Sequence, residues 1–169
     1  MNWFTWSSPL LFAITLCACA KRPQSAPTAT DPRELFASFV QAWNGHDYDA
    51  LDTLVASNAV GEDLALGFRG EGPEEFKGFM RQTLGMIPDF HWTPTNVLAD
   101  SFKVAAEWTR AGSYTGDTPH GPVRDKRFKI RGVSIVSTNG RRITRLSDYY
   151  NLAELYRQVA GGVPQKQPK

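Results

Sequence analysis

Residues 139–161, NGRRITRLSDYYNLAELYRQVAG, carry the pattern that decides the fold. The dipeptide NG at its start is a strong signal for a tight hairpin turn. The residues that follow alternate between apolar and polar side chains, which predicts a strand over 142–150. Apolar residues at helical spacing come next and predict a helix over 151–160. Asp148 lies where strand meets helix, so it is either an acid in a pocket or a cap or rim residue at the helix start.

The rest of the second half of the chain is also rich in strand signals. We predict strands over 90–100, 102–115 and 126–138, in addition to 142–150, separated by the turn signals ADS, GDTPHGP and TNGR. Trp108, Arg110, Gly112 and Tyr114 share one face by strand alternation, as do Leu146, Asp148 and Tyr150.

The first half of the chain predicts helices instead. One runs from Asp31-Pro32 to Asn44, a second from Asp47 or Tyr48 to Ala56, and a third begins near GPEEF at 72–76. The stretch VGEDLALGFRG between them is irregular or a short strand. Helices followed by strands predict an α+β fold. We expect a cone-shaped, curved antiparallel sheet wrapped around the N-terminal helices, with a hydrophobic cavity inside.

Residues 1–18 predict a signal peptide of the lipoprotein type. Their apolar core, LLFAITLCACA, is too short to span a bilayer as a stable helix. The pattern LCAC at 16–19 resembles the bacterial lipobox, and this resemblance makes Cys19 the lipidated residue. No Lys or Arg precedes the apolar core, which leaves an ordinary cleaved signal and an uncleaved anchor as alternatives.

The resemblance to lipoproteins also predicts a location. Ala20 rather than Asp follows Cys19, which favours a periplasmic domain anchored by lipid to the outer membrane. Without lipidation, the domain would be secreted or soluble in the periplasm. Residues 19–31 predict a flexible tether, 32–161 the folded domain and 162–169 a disordered tail. Both cysteines precede the domain, which therefore has no disulfide and no thiol catalyst.

Composition and motifs exclude several classes of partner. The net charge of +2 is too small to indicate nucleic acid, and the basic stretch RDKRFKIR at 124–131 alternates as a strand does. His46, His91 and His120 lack the spacing of metal ligands. No phosphate-binding loop is present in the sequence. We therefore expect no nucleic acid, no metal and no cofactor.

Three stretches in order resemble the SnoaL-like polyketide cyclase family of the nuclear transport factor 2-like superfamily. They are LFASFVQAWNGHDYDALDTLVASNAV at 35–60, GPEEFKGFMRQTLGMIPDF at 72–90 and the closing stretch at 139–161, so the resemblance covers 32–161. It implies the cone-shaped fold. The superfamily includes cyclases, isomerases, epoxide hydrolases and non-catalytic binding proteins, so the fold alone does not decide the activity.

The same resemblance implies three catalytic residues. Asp148 matches the last-strand position that carries a catalytic carboxylate in the cyclases and in the limonene epoxide hydrolase type. Arg110 matches an arginine of the hydrolase type, although Gly112 stands where that type has a second aspartate. Tyr114, in AGSYTGD at 111–117, replaces a family histidine, and Asn151 replaces a further carboxylate. Each departure weakens the simplest cyclase or hydrolase chemistry, and ordinary ion-pair and rim roles remain open for Arg110 and Tyr114.

Aromatic residues are the candidates for substrate binding. Core packing is the alternative for each of them; the set is Trp43, Phe90, Trp92, Trp108, Phe128 and Tyr150. Such a cavity suits a small hydrophobic, carbonyl-bearing molecule. If the domain is an enzyme, we expect cofactor-free acid–base chemistry of the cyclase, isomerase or hydrolase type. The alternative is a non-catalytic binding or assembly module of the envelope. A homodimer through the exposed face of the sheet is compatible with both.

Overall fold

The computed structural model describes Met1 and residues 30–160. The predicted signal peptide, the predicted lipidation site at Cys19, most of the predicted tether and the predicted tail at 162–169 lie outside the described residues. Within the described part of the chain, no helix has both the length and the apolar character needed to cross a membrane.

The described residues form four helices, and local sequence signals explain where two of them begin. Their bounds are α1 Pro32–Gly45, α2 Leu51–Leu54, α3 Pro73–Met86 and α4 Leu152–Val159. The Asp31 side chain caps α1 by accepting a hydrogen bond from the backbone N–H of Arg33, and Pro32 occupies the first turn. Asn151 caps α4 in the same way through the backbone N–H of Glu154. The predicted first, third and fourth helices are therefore confirmed.

Six strands in residues 30–160 form one curved open sheet, which confirms the predicted α+β fold. They are β1 Val55–Asp63, β2 Phe68–Glu71, β3 His91–Ala99, β4 Lys103–Thr118, β5 Gly121–Thr138 and β6 Ile143–Tyr150. The spatial order is β2-β1-β6-β5-β4-β3. Neighbouring strands pair antiparallel, except that β1 pairs with β6 in parallel and brings Asp63 opposite Asp148.

The region between α1 and α3 differs from the sequence prediction. The second helix ends at Leu54 rather than Ala56, and the chain continues directly into β1. β1 and β2 then form an antiparallel hairpin from a stretch predicted to be irregular or a short strand. The strand conformation of β1 is fixed by its pairing with β6, which is distant in the chain. Local periodicity carries no signal for such a pairing.

The helices and the inner face of the sheet share one aromatic core. Trp92 lies at its centre, with edge-to-face contacts to Phe36, Phe39 and Trp43 of α1. Asn44, near the end of α1, fixes the helix across β3: its side-chain amide donates to the carbonyl of Trp92 and accepts from the Trp92 backbone N–H. The remaining space between sheet and helices is the cavity described below.

Candidate functional site

A cavity of about 430 Å³ lies between the inner face of the sheet and helices α3 and α4. Its wall is mostly apolar and aromatic. The lining residues are Trp43, Asp63, Leu66, Phe68, Phe79, Gln82, Thr83, Met86, Ile87, Phe90, Arg110, Tyr114, Phe128, Ile130, Tyr150, Leu152, Leu155 and Tyr156. A space of this size and composition is typical of sites for small organic molecules.

The structure brings six of the residues predicted from the sequence to this cavity and leaves three behind its wall. Trp43, Phe90, Arg110, Tyr114, Phe128 and Tyr150 line it. Trp92, Trp108 and Asp148 are buried in the layer beneath and are not among the lining residues. All three nevertheless contact Arg110, and they hold its side chain in place at the cavity wall.

Arg110 is held rigidly by two indole rings. Its guanidinium carbon lies 3.9 Å from the ring centroid of Trp92 and 4.0 Å from that of Trp108. A planar cation stacks well on aromatic faces when water is excluded. Its Nη2 donates to Asp148 Oδ2 at 2.7 Å, whereas its buried Nε has no hydrogen-bond partner among the described residues. Because Arg110 lines the cavity and a guanidinium has five N–H donors, Nη donors beyond the one bonded to Asp148 remain for a ligand.

Asp148 is the buried counter-ion of this arginine. One carboxylate oxygen accepts from Arg110, and the other accepts from the hydroxyl of Ser134. The indole N–H of Trp108 donates in turn to Ser134 Oγ at 2.8 Å. The alternative role of Asp148 as a helix cap is taken by Asn151. Both oxygens of Asp148 are therefore engaged within the protein.

Asp63, at the end of β1, is the acidic residue that reaches the cavity. Its side chain is almost fully buried, and one oxygen accepts from the backbone N–H of Leu66 at 2.9 Å. Burial raises the pKa of Asp63, and the nearby negative charge of Asp148 raises it further, whereas Arg110 opposes the rise. Tyr150 also lines the cavity, and burial together with the nearby negative charge of Asp63 raises the pKa of its hydroxyl strongly.

Asp63 was not among the site residues predicted from the sequence, because residues 60–70 were predicted to be irregular or a short strand. A signal was present: in β1, Ala59, Gly61 and Asp63 alternate with more exposed residues, so all three point inward. Gly61 and Ala59 are small because helix α3 packs there, and a Cβ on Gly61 would lie 2.8 Å from the Phe76 ring. Asp63 is the last residue of this inward-facing row, and its carboxylate lines the cavity.

The surroundings of Gly112 and Tyr114 account for two of the positions at which this sequence differs from the residues expected by resemblance. A Cβ on Gly112 would lie 2.4 Å from a methyl group of Ile87, so the space that a second aspartate would need is filled. The hydroxyl of Tyr114 donates to the carbonyl of Asp117 at 2.8 Å, and burial raises the pKa of Tyr114. Tyr114 thus contributes a ring to the cavity wall, while its hydroxyl is bound within the β4–β5 hairpin.

No group of three or more His, Cys, Asp or Glu side chains suited to a metal ion occurs among Met1 and residues 30–160. The polar groups of the cavity are instead the Asp63 carboxyl, the Arg110 guanidinium and the Tyr150 hydroxyl at one end, with Gln82 and Thr83 of α3 elsewhere on the wall. This combination can move a proton and stabilise a negative oxygen without a bound cofactor.

Solved structures share this fold. A hypothetical protein with a ketosteroid isomerase-like fold from Catenulispora acidiphila, in complex with trimethylamine, is 29% identical, with a TM-score of 0.68; the match covers 82% of this chain and 100% of that chain. IdmH from Streptomyces antibioticus is 18% identical, with a TM-score of 0.67 and coverage of 75% and 96%. TsrD from Streptomyces laurentii is 22% identical, with a TM-score of 0.64 and coverage of 75% and 92%.

The sequence itself matches a protein family. No curated protein matches the chain. The family described as SnoaL-like polyketide cyclase matches residues 34–159, which is well over half of the chain and includes α1, the whole sheet and α4. The structural match to the Catenulispora acidiphila protein with its ketosteroid isomerase-like fold agrees with this family. The protein therefore belongs to the SnoaL-like polyketide cyclase family.

Proposed function

We propose that this domain binds a small hydrophobic carbonyl compound and transfers a proton at the carbon next to the carbonyl, without a cofactor. The observation that supports this is a buried carboxyl, Asp63, at the surface of an apolar cavity beside the fixed cation of Arg110. A base with a raised pKa works closer to neutral pH than an ordinary aspartate. A rigid cation can stabilise the oxygen that becomes negative.

The proposed step is an enolisation. Asp63 removes a proton from the α-carbon, the C–H electron pair forms a C=C bond, and the carbonyl π electrons move to oxygen. The N–H donors of Arg110 that remain free stabilise this oxyanion. Return of the proton to the same or another carbon completes exchange or isomerisation. Addition of the enolate to a second carbonyl would give a cyclase.

This proposal changes the role expected for two residues. From the sequence, Asp148 is the expected residue for proton transfer, and Tyr114 is expected to stabilise an enolate together with Arg110. Asp148 is already bound by Arg110 and Ser134, and the Tyr114 hydroxyl is bound by Asp117. We therefore assign proton transfer to Asp63, the holding of Arg110 to Asp148, and a wall position to Tyr114.

Exchange of the α-protons of 2-tetralone in deuterated buffer, followed by proton NMR, tests the proposal. The domain should accelerate exchange, and Asp63→Asn should reduce the acceleration by about 10²- to 10⁴-fold, as loss of a general base does. The exposed Asp49→Asn is the matched control and should exchange as the native protein does. Equal exchange by native and D63N protein would exclude Asp63 as the base.

Non-catalytic binding is the second candidate, and one relative favours a specific form of it. The Catenulispora acidiphila protein was solved with trimethylamine. Here, aromatic rings and the Asp63 carboxylate together would suit a small alkylammonium ion, through cation–π contacts and charge. Titration calorimetry with trimethylamine separates the catalytic from the non-catalytic function. Tight binding by native protein that Asp63→Asn abolishes, together with no exchange of 2-tetralone protons by native protein, supports a binding domain.

We also propose that the domain is anchored to the outer membrane, on the periplasmic side, through a lipid on Cys19. The support is the LCAC pattern at 16–19, followed by Ala20. Expression of the full chain in a Gram-negative host, with fractionation of the envelope, is the test. Native protein should partition with the outer membrane and Cys19→Ala should leave it. Retention of the variant in the membrane would show that lipidation of Cys19 is not the anchor.

We further propose a homodimer through the outer face of the sheet. Val133 of β5 lies opposite Tyr149 of β6, and Ile135 is on the same face. Ile135 and Tyr149 are 39% and 46% exposed, which is high for large apolar side chains in a sheet.

A further inference from the structure

Two carboxylates lie close to one guanidinium at the cavity. Asp63 and Asp148 are direct partners across the parallel pairing of β1 with β6. Arg110 donates to Asp148, and its positive charge also acts on Asp63, where it opposes the rise in pKa that burial causes. Only the carboxyl that is not paired with Arg110 is free to accept a substrate proton. The choice of partner by Arg110 therefore decides which residue is the base.

The hydrogen bonds around the two carboxylates differ. Asp148 accepts from Ser134 on the oxygen that does not face Arg110. Ser134 is fully buried, and its only hydroxyl proton is directed to Asp148 because its oxygen already accepts from Trp108. Asp63 instead accepts from the backbone N–H of Leu66, in the turn between β1 and β2. Thus Ser134 supports the anion of Asp148 without touching Asp63.

We propose that Ser134 is a positioning residue that keeps Arg110 paired with Asp148 and thereby leaves Asp63 as the base of the cavity. Trp108 fixes the direction of the serine hydroxyl and at the same time stacks on Arg110. The row Trp108, Ser134, Asp148 and Arg110 crosses β4, β5 and β6. Through these contacts, the three strands hold Arg110 beside Asp148 and leave Asp63 as the base.

The consequence of removing the hydroxyl is specific. In Ser134→Ala, Asp148 loses a hydrogen bond to its charged form, so Arg110 is drawn partly toward Asp63. A closer cation lowers the pH at which Asp63 titrates. We expect that midpoint to fall by about one pH unit, as for the loss of a single hydrogen bond to a charged group. A purely structural role of Ser134 would leave this midpoint unchanged.

Carbon-13 NMR of aspartate carboxyl groups in the ligand-free protein measures this directly, with the Asp63 signal assigned by its absence in D63N. Ser134→Ala should lower the Asp63 midpoint, and Ser134→Cys, which keeps a weaker donor, should lower it less. Ser147→Ala is the matched control, because Ser147 is buried on the neighbouring strand but bonds to Glu62 on the other face. An unchanged midpoint in Ser134→Ala, or an equal shift in Ser147→Ala, would overturn the proposal.

Only the catalytic readout rests on the proposed function. The pH at which 2-tetralone exchange is half-maximal should fall together with the Asp63 midpoint in Ser134→Ala. A failure of native protein to exchange 2-tetralone would count against the proposed function, and the NMR titration would still decide the role of Ser134. Exchange that keeps its native pH profile in Ser134→Ala would overturn the positioning role.

Discussion

The best-defined single residue of the site is Arg110, whose charge is buried between two tryptophans. Its side chain is 9% exposed and that of Asp148 is 5% exposed. A buried charge is costly unless it is paired and hydrogen-bonded. Stacking on Trp92 and Trp108, together with the bond to Asp148, meets this cost while leaving donors free. The fold thus holds the largely desolvated guanidinium of Arg110 at the cavity wall, where a ligand oxygen can bind it.

Removing the counter-ion should destabilise the fold. In Asp148→Asn, Arg110 keeps its charge but loses its anion in the interior, and we expect a loss of about 3–5 kcal/mol in the free energy of unfolding. Urea unfolding measures it. Glu74→Gln is the control, because this partner of Lys77 is 76% exposed, and it should cost less than about 1 kcal/mol. Similar values for the two variants would contradict a buried, structurally important ion pair.

Asp63 should make stability depend on pH. Its pKa is raised above the ordinary value of 3.8 in the folded protein, so the folded state holds this proton more tightly than the unfolded state does. As the pH rises from 3.8 through the folded pKa, the proton is lost and this contribution to stability disappears. Asp63→Asn has no proton to lose.

The check is the difference in unfolding free energy between D63N and native protein, measured from acid to neutral pH. It should shift in favour of the variant across the titration of Asp63 and then level off. The same difference for the exposed Asp49→Asn should stay nearly flat. A difference for D63N that moves in the opposite direction would mean that the pKa of Asp63 is lowered by folding.

At the scale of elements, the junction of β6 and α4 shows that the buried acid and the helix cap are two different residues. The strand ends at Tyr150, and the next residue, Asn151, caps the helix. Helix α4 places Leu152, Leu155 and Tyr156 on the cavity. The amide of Gln158 bonds to both the N–H and the carbonyl of Lys129, which fixes α4 beside β5. The carboxylate and the cap are therefore adjacent but distinct.

Substitutions at the cap should act on the helix alone. Asn151→Ala removes the acceptor for the Glu154 backbone N–H and should cost about 1 kcal/mol in unfolding free energy. Asn151→Ser keeps an acceptor and should cost only a few tenths. Thermal unfolding compares the two variants. Equal losses would show that the Asn151 side chain does not act as a cap.

At the scale of the whole molecule, the sheet forms both the cavity and the proposed dimer interface. Its inner face carries Arg110 and the aromatic residues, and its outer face exposes Ile135 and Tyr149. Because side chains alternate along a strand, neighbouring residues such as Asp148 and Tyr149 serve opposite faces. Ligand binding and association would thus be separable by mutation.

The proposed dimer predicts a specific result. Tyr149→Lys introduces like charges at a two-fold interface and should convert dimer to monomer in sedimentation velocity, with the cavity intact. Leu64→Lys is the control, because Leu64 is 51% exposed and lies in the turn between β1 and β2 rather than on the sheet; it should not change the sedimentation coefficient. A native protein that sediments as a monomer at all concentrations would exclude this interface.

Much of the fold could be predicted from local sequence. The hairpin between β5 and β6, the strand through Asp148 and the helix after Asn151 each follow from short-range patterns. Asp31 and Pro32 likewise mark the start of α1. These features depend on residues a few positions apart, and the alternation along β4 and β6 also places Arg110 and Asp148 on the inner face.

The identity of the acid at the cavity was decided by tertiary structure. Asp63 lies beside Asp148 because two strands far apart in the chain pair in parallel, and no local period encodes that pairing. The same is true of the stacking of Trp92 and Trp108 on Arg110 and of the filling of the space at Gly112 by Ile87. The sequence by itself determined most of the elements and the inward faces of β4 and β6, but not β1 and β2. Packing determined which charged groups meet there, because burial and charge pairing depend on all the elements at once.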